Sequence, residues 1–315
     1  MLHPTTALLR DDAFAGHDTG MHVEHPRRHH AIAQMLDLEG MLDDRPHVAF
    51  GPATDEMILR VHSDAHLHRL ADIVQSGGAW IDADTLVAPD SLEAARIAAG
   101  AAVGAVEAIL GGEVSRAFAL GRPPGHHATR DRAMGFCLLN SVAIAAAHAR
   151  HLGAGRVAII DWDVHHGNGT QDIFYGSSDV WYASIHQSPL YPGTGWRDET
   201  GTGTGKGATL NVPLRPGTGD SEWLTAFDEL VAPFVERCRP DIILLSAGYD
   251  AHIDDPIGGC HVTDDGFAAL TSRTRALADR LAGGRLAVVL EGGYDPAALA
   301  RSVMRSINEL DAGTK

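Results

Sequence analysis

The chain has 315 residues, a net charge of −16, 44% hydrophobic residues and only three cysteines. That length holds one large α/β domain, and residues 1–315 read as a single one, without linker, repeat or low-complexity tract. The acidity excludes a general nucleic-acid binder, and no apolar run is long enough to suggest a membrane span.

The elements alternate along the chain. Residues 91–110 form an Ala-rich helix with Ser91 as the expected N-cap and Gly111-Gly112 as its end. A strand at 116–120 (RAFAL) precedes Arg-Pro-Pro-Gly and the tandem His126-His127, and a second Ala-rich helix runs from Asn140 to His151. The run Val157-Ala-Ile-Ile160 is short, apolar and rich in β-branched residues, as a buried parallel strand over 157–161 should be. Further strands are expected at 180–185, 241–247 and 286–291, with helices at 221–237, 264–282 and 296–310; the last opens with Pro296 in its first turn. The glycine-rich 193–207 segment lacks the strand-turn-helix context of a phosphate cradle and reads as a loop. This alternation predicts a mostly parallel sheet with helices on both faces. Cys137, Cys238 and Cys260 lack metal-type spacing, so no disulfide framework is expected. With no basic-then-apolar leader in MLHPTTALLRDDAF, the cytoplasm is the expected compartment.

The polar residues gather at strand ends. His126 and His127 follow the strand at 116–120; Asp161, Asp163 and His165 follow that at 157–161; Asp250 follows 241–247; Tyr294 follows 286–291 through Glu-Gly-Gly. Open α/β sheets bind ligands outside the carboxyl ends of their strands. Residues two apart on an extended segment project to one side, so Asp163 and His165 can converge, and Asp250 makes a third ligand suited to a catalytic zinc. Two anionic ligands leave the site formally neutral and acidify water weakly, so a general base should stand close by. His126 and His127 are the candidates, with Asp161 and Asn168 available to fix their tautomers. The Gly292-Gly293 turn permits close approach, and Tyr294 beyond it could donate to a developing oxyanion. His166 reads as structural, Cys137 as a small hydrophobe rather than a nucleophile, and His252, Asp254 and Asp255 as solvated loop residues whose closeness to Asp250 leaves a rim role open.

The segments RPPGHHA (122–128), GFCLLN (135–140), DWDVHHGNGTQDIF (161–174), SIH with PGTG (184–195), SAGYDAHIDDPIGG (246–259) and LEGGYD (290–295) resemble the histone deacetylase superfamily, in its class II and bacterial amidohydrolase branch; HVEHPRR (22–28) is a fainter match. The resemblance implies the arginase-like α/β fold, with about eight strands in the central sheet. It also implies zinc on Asp163, His165 and Asp250, His127 as general base and acid beside His126, and Tyr294 as the transition-state donor. It places Gly135, Phe136, Tyr191, Ile257, Gly292 and Gly293 around the substrate, with Asp84 holding its backbone amide and Arg28 near the acetate-release end. Tyr191 stands where phenylalanine is more usual, and Asn168 replaces an aspartate of class I, which makes His127 less basic. A structural potassium ion is expected near Asp161, Asp163, His165, Ser184 and Ile185.

Removal of an acetyl or other acyl group from N-acetyl-lysine-type peptides or proteins is the favoured activity, because Ile257 gives a cation no partner at a position where polyamine specialists carry glutamate. Acetylpolyamines or small acylated metabolites are the alternative. Fe²⁺ in place of zinc, and an oligomer, remain open. A non-catalytic binding protein would be expected to lose a ligand or the tyrosine. A two-manganese ureohydrolase would need further Asp and His ligands.

Overall fold

A computed structural model describes residues 6–312. Its strands are β1 (Thr6–Leu9), β2 (Ala79–Trp80), β3 (Leu86–Val87), β4 (Arg116–Ala119), β5 (Val157–Asp161), β6 (Val180–Gln187), β7 (Thr209–Leu214), β8 (Ile242–Ala247) and β9 (Leu286–Leu290). Seven of them form one all-parallel sheet in the order β1-β4-β9-β8-β5-β6-β7, and β2 pairs antiparallel with β3 outside it. The main sheet thus has seven strands among the described residues, where about eight were expected.

Strands β4, β5, β8 and β9 are buried along their whole length, which is why they read as unbroken apolar runs. The two strands of the main sheet that were not predicted, β1 and β7, lie at its edges, and the short pair β2 and β3 was not predicted either. Edge strands bury less and tolerate proline, and Pro213 lies inside β7. The last residues described close the opposite edge: the Thr6 N–H donates to Asp311 Oδ1 at 3.0 Å.

Helices Ser91–Leu110, Ser141–His151, Asp264–Leu281 and Pro296–Asp311 lie within one or two residues of expectation. Asn140, Thr263 and Asp295 cap three of them through side-chain acceptors. The fourth differs at its start. Asp90 holds the N-cap position, while the Ser91 hydroxyl accepts from the Ala88 N–H and bonds His17 Nδ1. The expected helix at 221–237 is continuous from Asp220 to Cys238 but widens into a π-helical turn over Phe227–Val231. Pro233 follows at once; its ring has no N–H and crowds the carbonyl one turn back, so the ladder shifts there. The helices Arg27–Leu38 and Asp64–Gln75 had no counterpart among the predicted elements.

Apolar clusters cover both sheet faces: one packs Trp162, Trp223 and Phe267 with the helices of 220–238 and 264–281, the other packs the Ala-rich helices of 91–110 and 141–151. No described helix is long and apolar enough to cross a membrane. All three cysteines are free and buried.

The connections place the site. From β5 the chain moves outward through β6 to β7, whereas β8 and β9 fill the other side of β5 toward β4. The direction reverses between β5 and β8, the switch point where a crevice opens beyond the strand ends. Asp163 and His165 leave β5, and Asp250 leaves β8.

Candidate metal centre and channel

Asp163, His165 and Asp250 are buried, and each offers one ligand atom within 4.8 Å of the others. His165 Nδ1 lies 3.0 Å from Asp163 Oδ1 and 3.1 Å from Asp250 Oδ2. The remaining carboxylate oxygens are fixed by backbone: Gly292 N–H donates to Asp163 Oδ2 at 2.9 Å, and Val164 N–H to Asp250 Oδ1 at 2.9 Å. Gly292 has to be glycine, because a Cβ there would stand 2.2 Å from Asp250 Oδ2 and 2.5 Å from Asp163 Oδ2.

Two carboxylates forced together out of water require a cation. Burial and Asp163 push the Asp250 carboxyl up, while His126 and His165 hold Asp163 well below the usual carboxylate range against its own burial. Burial would lower His165, but its bonds to the two carboxylates raise it to about 10. Without an ion, an imidazolium therefore balances the pair. Convergent anionic oxygens and an imidazole nitrogen fit a divalent metal ion.

The tandem histidines stand beside this group with their rings 4.0 Å apart. His126 Nδ1 bonds Asp161 Oδ2 at 3.0 Å, and the Tyr182 hydroxyl donates to the same oxygen at 3.0 Å. His127 Nδ1 lies 2.7 Å from Asn168 Oδ1. That oxygen only accepts, so His127 carries its proton on Nδ1 and leaves Nε2 free. Burial opposes charge on His126, yet Asp163 and Asp161 raise it to about 10. Burial, then the charges of His126 and His165, hold His127 well below the usual imidazole range. The two rings are thus driven in opposite directions, His126 toward the charged form and His127 toward the neutral one.

A cavity of 160 Å³ leads to this group, lined by Asp84, His127, Gly135, Phe136, His165, Tyr191 and Tyr294. Four larger surface hollows hold neither the carboxylates nor the tandem histidines. Gly135 takes a φ of +56°, and a Cβ there would meet His127 Cδ2 at 2.5 Å and Tyr191 Cε1 at 2.9 Å, so the channel needs glycine. Tyr191 meets the His127 ring edge-on at 5.1 Å, and Phe136 meets Tyr294 edge-on at 5.5 Å. His22 packs edge-on against Phe136 and against the half-exposed Trp80. Burial raises the Tyr294 phenol well above its ordinary value, with Arg28 opposing, so it carries its proton. Arg28 is fully buried, lies 4.9 Å over the Tyr294 ring and donates from Nε to Gly293 O at 2.6 Å. Its guanidinium also bonds Glu291 O and Glu24. Glu24 in turn holds Arg122.

Other sequence-derived positions fall as follows. Gly292 and Gly293 lie behind the carboxylates and Arg28 rather than on the cavity wall, and Ile257 is half-buried beside Asp255, also off the wall. Cys137 is fully buried behind the wall, its thiol pushed well up by burial. Asp161 and Ser184 are register neighbours on β5 and β6, and Ile185 follows; the Ser184 hydroxyl bonds His186 Nδ1 at 2.9 Å. His166 bonds Thr194 and Gln171.

Asp255 and His252 correct the sequence reading, which left them in solvent. Asp255 is buried and accepts the Tyr294 N–H at 2.7 Å, as well as the N–H groups of Ile257 and Gly258. His252 is buried against Phe267, with Asp264 at 3.3 Å. Glu24, Arg122, Tyr182 and Glu291 were not singled out from sequence. Their common signal is an acid, a base or a phenol inside or beside a matched segment without a role of its own.

An all-parallel α/β sheet with a buried Asp–His–Asp group at its switch point defines the class: an α/β protein with a candidate mononuclear metal centre. The family model for the histone deacetylase domain matches residues 22–310. The histone deacetylase-like amidohydrolase of Pseudomonas aeruginosa is 42% identical over 310 residues, covering 98% of this chain and 80% of that protein. A probable deacetylase of Archaeoglobus fulgidus is 42% identical over 275 residues, covering 86% and 76%. The solved HD domain of HDA15 superposes with a TM-score of 0.93 at 38% identity, covering 97% of this chain and 88% of that one. The chain belongs to the histone deacetylase family.

Proposed function

We propose that the protein is a zinc-dependent amidohydrolase that removes the acyl group from the side-chain amine of N-acetyl-lysine-type substrates. The observation that carries this reading is the narrow cavity lined by His127, Tyr294 and His165, with Asp163 and Asp250 bonded to His165 behind it. Asp163, His165 and Asp250 would hold the zinc, which would supply a Lewis acid for the acyl carbonyl and lower the pKa of a bound water. Fe²⁺ meets the same ligand set. Phe136 and Tyr191 grip the aliphatic stem between aromatic faces and exclude bulk water. Tyr294 donates its phenolic proton in a hydrogen bond to the carbonyl oxygen as charge builds there. His127 takes the proton of the attacking water at Nε2, and Asn168 steadies the resulting imidazolium through Nδ1. His126, drawn toward its charged form by Asp161, favours the negative charge that develops on the acyl oxygen. The proton then passes to the departing amine, which leaves with a carboxylate as co-product. Asp161, Asp163, His165, Ser184 and Ile185 form the proposed potassium site.

Asp84 is the acidic group on the cavity wall, and its carboxyl is raised by burial and by Asp82. It can accept a peptide N–H or meet an ammonium, and this keeps acetylpolyamines as the second reading. Zinc-loaded protein should hydrolyse an acetyl-lysine peptide in preference to a matched N-acetylated polyamine, with loss of turnover on adding a hydroxamate. Preference for the polyamine would keep the chemistry and overturn the substrate class. No turnover of either by zinc-loaded protein would overturn the reading itself.

The base assignment has a test with a defined sign. Asn168→Asp would set an anion 2.7 Å from His127 Nδ1, which favours the protonated ring and raises its pKa. The base works when neutral, so the acid limb of the kcat/KM profile should move to higher pH. An unmoved limb would remove His127 from that role.

A further inference from the structure

Glu291 is fully buried and belongs neither to the metal group nor to the cavity wall. Its Oε2 accepts two backbone donors, the N–H of Gly125 at 2.6 Å and that of His126 at 3.1 Å. Its Oε1 accepts the Ser246 hydroxyl at 3.1 Å. Its own N–H donates to Ala247 O at 2.9 Å, and its carbonyl accepts from Arg28. One side chain therefore ties the loop after β4 to the ends of β8 and β9.

The carbonyls of that loop are held elsewhere, His126 O by the Thr170 N–H at 3.1 Å and Gly125 O by the Ala128 N–H at 3.0 Å, and its N–H groups fall to Glu291. Pro123 and Pro124 have no N–H, so Gly125 and His126 carry the first backbone donors before the tandem rings. A buried N–H must be paired, and these two share a single acceptor oxygen. Gly125 also has no room to shift, since a Cβ there would stand 2.7 Å from Ser141 N and 2.8 Å from Leu139 O. Asp161 and Asn168 orient the two imidazoles through Nδ1. Those contacts set ring rotation, whereas the backbone is held on its carbonyl side by the Thr170 N–H and on its N–H side by Glu291.

We infer that Glu291 is a positioning residue, which sets the distance of His126 and His127 from the reacting acyl group by holding the Gly125–His126 backbone. This rests on the proposed roles of the tandem histidines. Misplacing a reacting group by about 1 Å costs about 10²-fold in rate. Glu291→Leu fills similar volume and offers no acceptor, so kcat should fall about 10²-fold while KM and zinc content stay near wild type. Glu291→Gln can still accept both N–H groups and donate to Ser246, so it should restore kcat to within about tenfold of wild type. A Leu variant with unchanged kcat, or one altered only in KM, would overturn the inference.

A second measurement needs no turnover. In zinc-loaded wild-type protein labelled with ¹⁵N-glycine, the Gly125 amide proton should resonate far downfield and exchange slowly. It should move upfield in Glu291→Gln, where the acceptor is neutral. An ordinary, fast-exchanging Gly125 amide would overturn the inference even if Glu291→Leu failed to fold. Absence of wild-type turnover with the downfield amide present would instead defeat the enzymatic reading and leave the tether standing.

Discussion

Tyr294→Phe is expected to lower kcat on an acetylated amine by about 10²–10³-fold, roughly 2.7–4 kcal/mol, with zinc content and KM close to wild type. The loss should fall on kcat because the phenol bonds an oxygen whose charge grows only as the reaction proceeds. The ring itself is held independently of the hydroxyl. Phe136 packs edge-on against it, Arg28 lies over its face, and Asp255 accepts the backbone N–H. Phenylalanine should keep all three contacts. Steady-state kinetics paired with metal analysis decides the matter, and near-normal kcat in a zinc-loaded variant would remove Tyr294 from the oxyanion role.

Asp250→Asn should lose the metal itself. A hydrogen-bond partner of a metal ligand costs about 10–100-fold in metal affinity when removed, and loss of a direct anionic ligand should exceed that. The substitution separates binding from folding. The Asn oxygen can still accept the Val164 N–H, and removing one of two crowded carboxylates relieves their repulsion. The metal-free variant should therefore melt near metal-free wild type. Zinc should raise the melting temperature of wild type only, since a ligand stabilises the state that binds it. Full zinc occupancy in the variant would contradict the assignment of Asp250.

The strands that carry the site were legible because they are buried on both faces. β4, β5, β8 and β9 have no polar face to alternate, so apolar runs ending in DWDVHH, GYD and EGGY mark both strand and function. The edge strands β1 and β7 carry no such mark, and Pro213 argues against a strand until the edge is known. The helix Arg27–Leu38, which carries Arg28, is amphipathic over a short length and opens with basic residues that give no helix-start signal.

The same division holds at the site. Pairings within one segment follow from spacing: Asp163 with His165 two residues on, or a glycine turn before Tyr294. Asp255 and Glu291 could not be read that way. Their partners lie 39 and 166 residues away in the chain, at Tyr294 and Gly125. From local pattern, one is a loop acid and the other the end of a strand.

By itself the sequence determined the order of the elements, the strand ends that bear chemistry and the family to which those segments belong. It did so because parallel strands buried on both faces must be apolar throughout and must turn polar where the crevice begins. Only the tertiary structure decided which acids leave solvent, which imidazole keeps a charge and which glycines are compulsory. Those properties depend on desolvation and on distances between segments far apart in the chain, and no local pattern of residues encodes either.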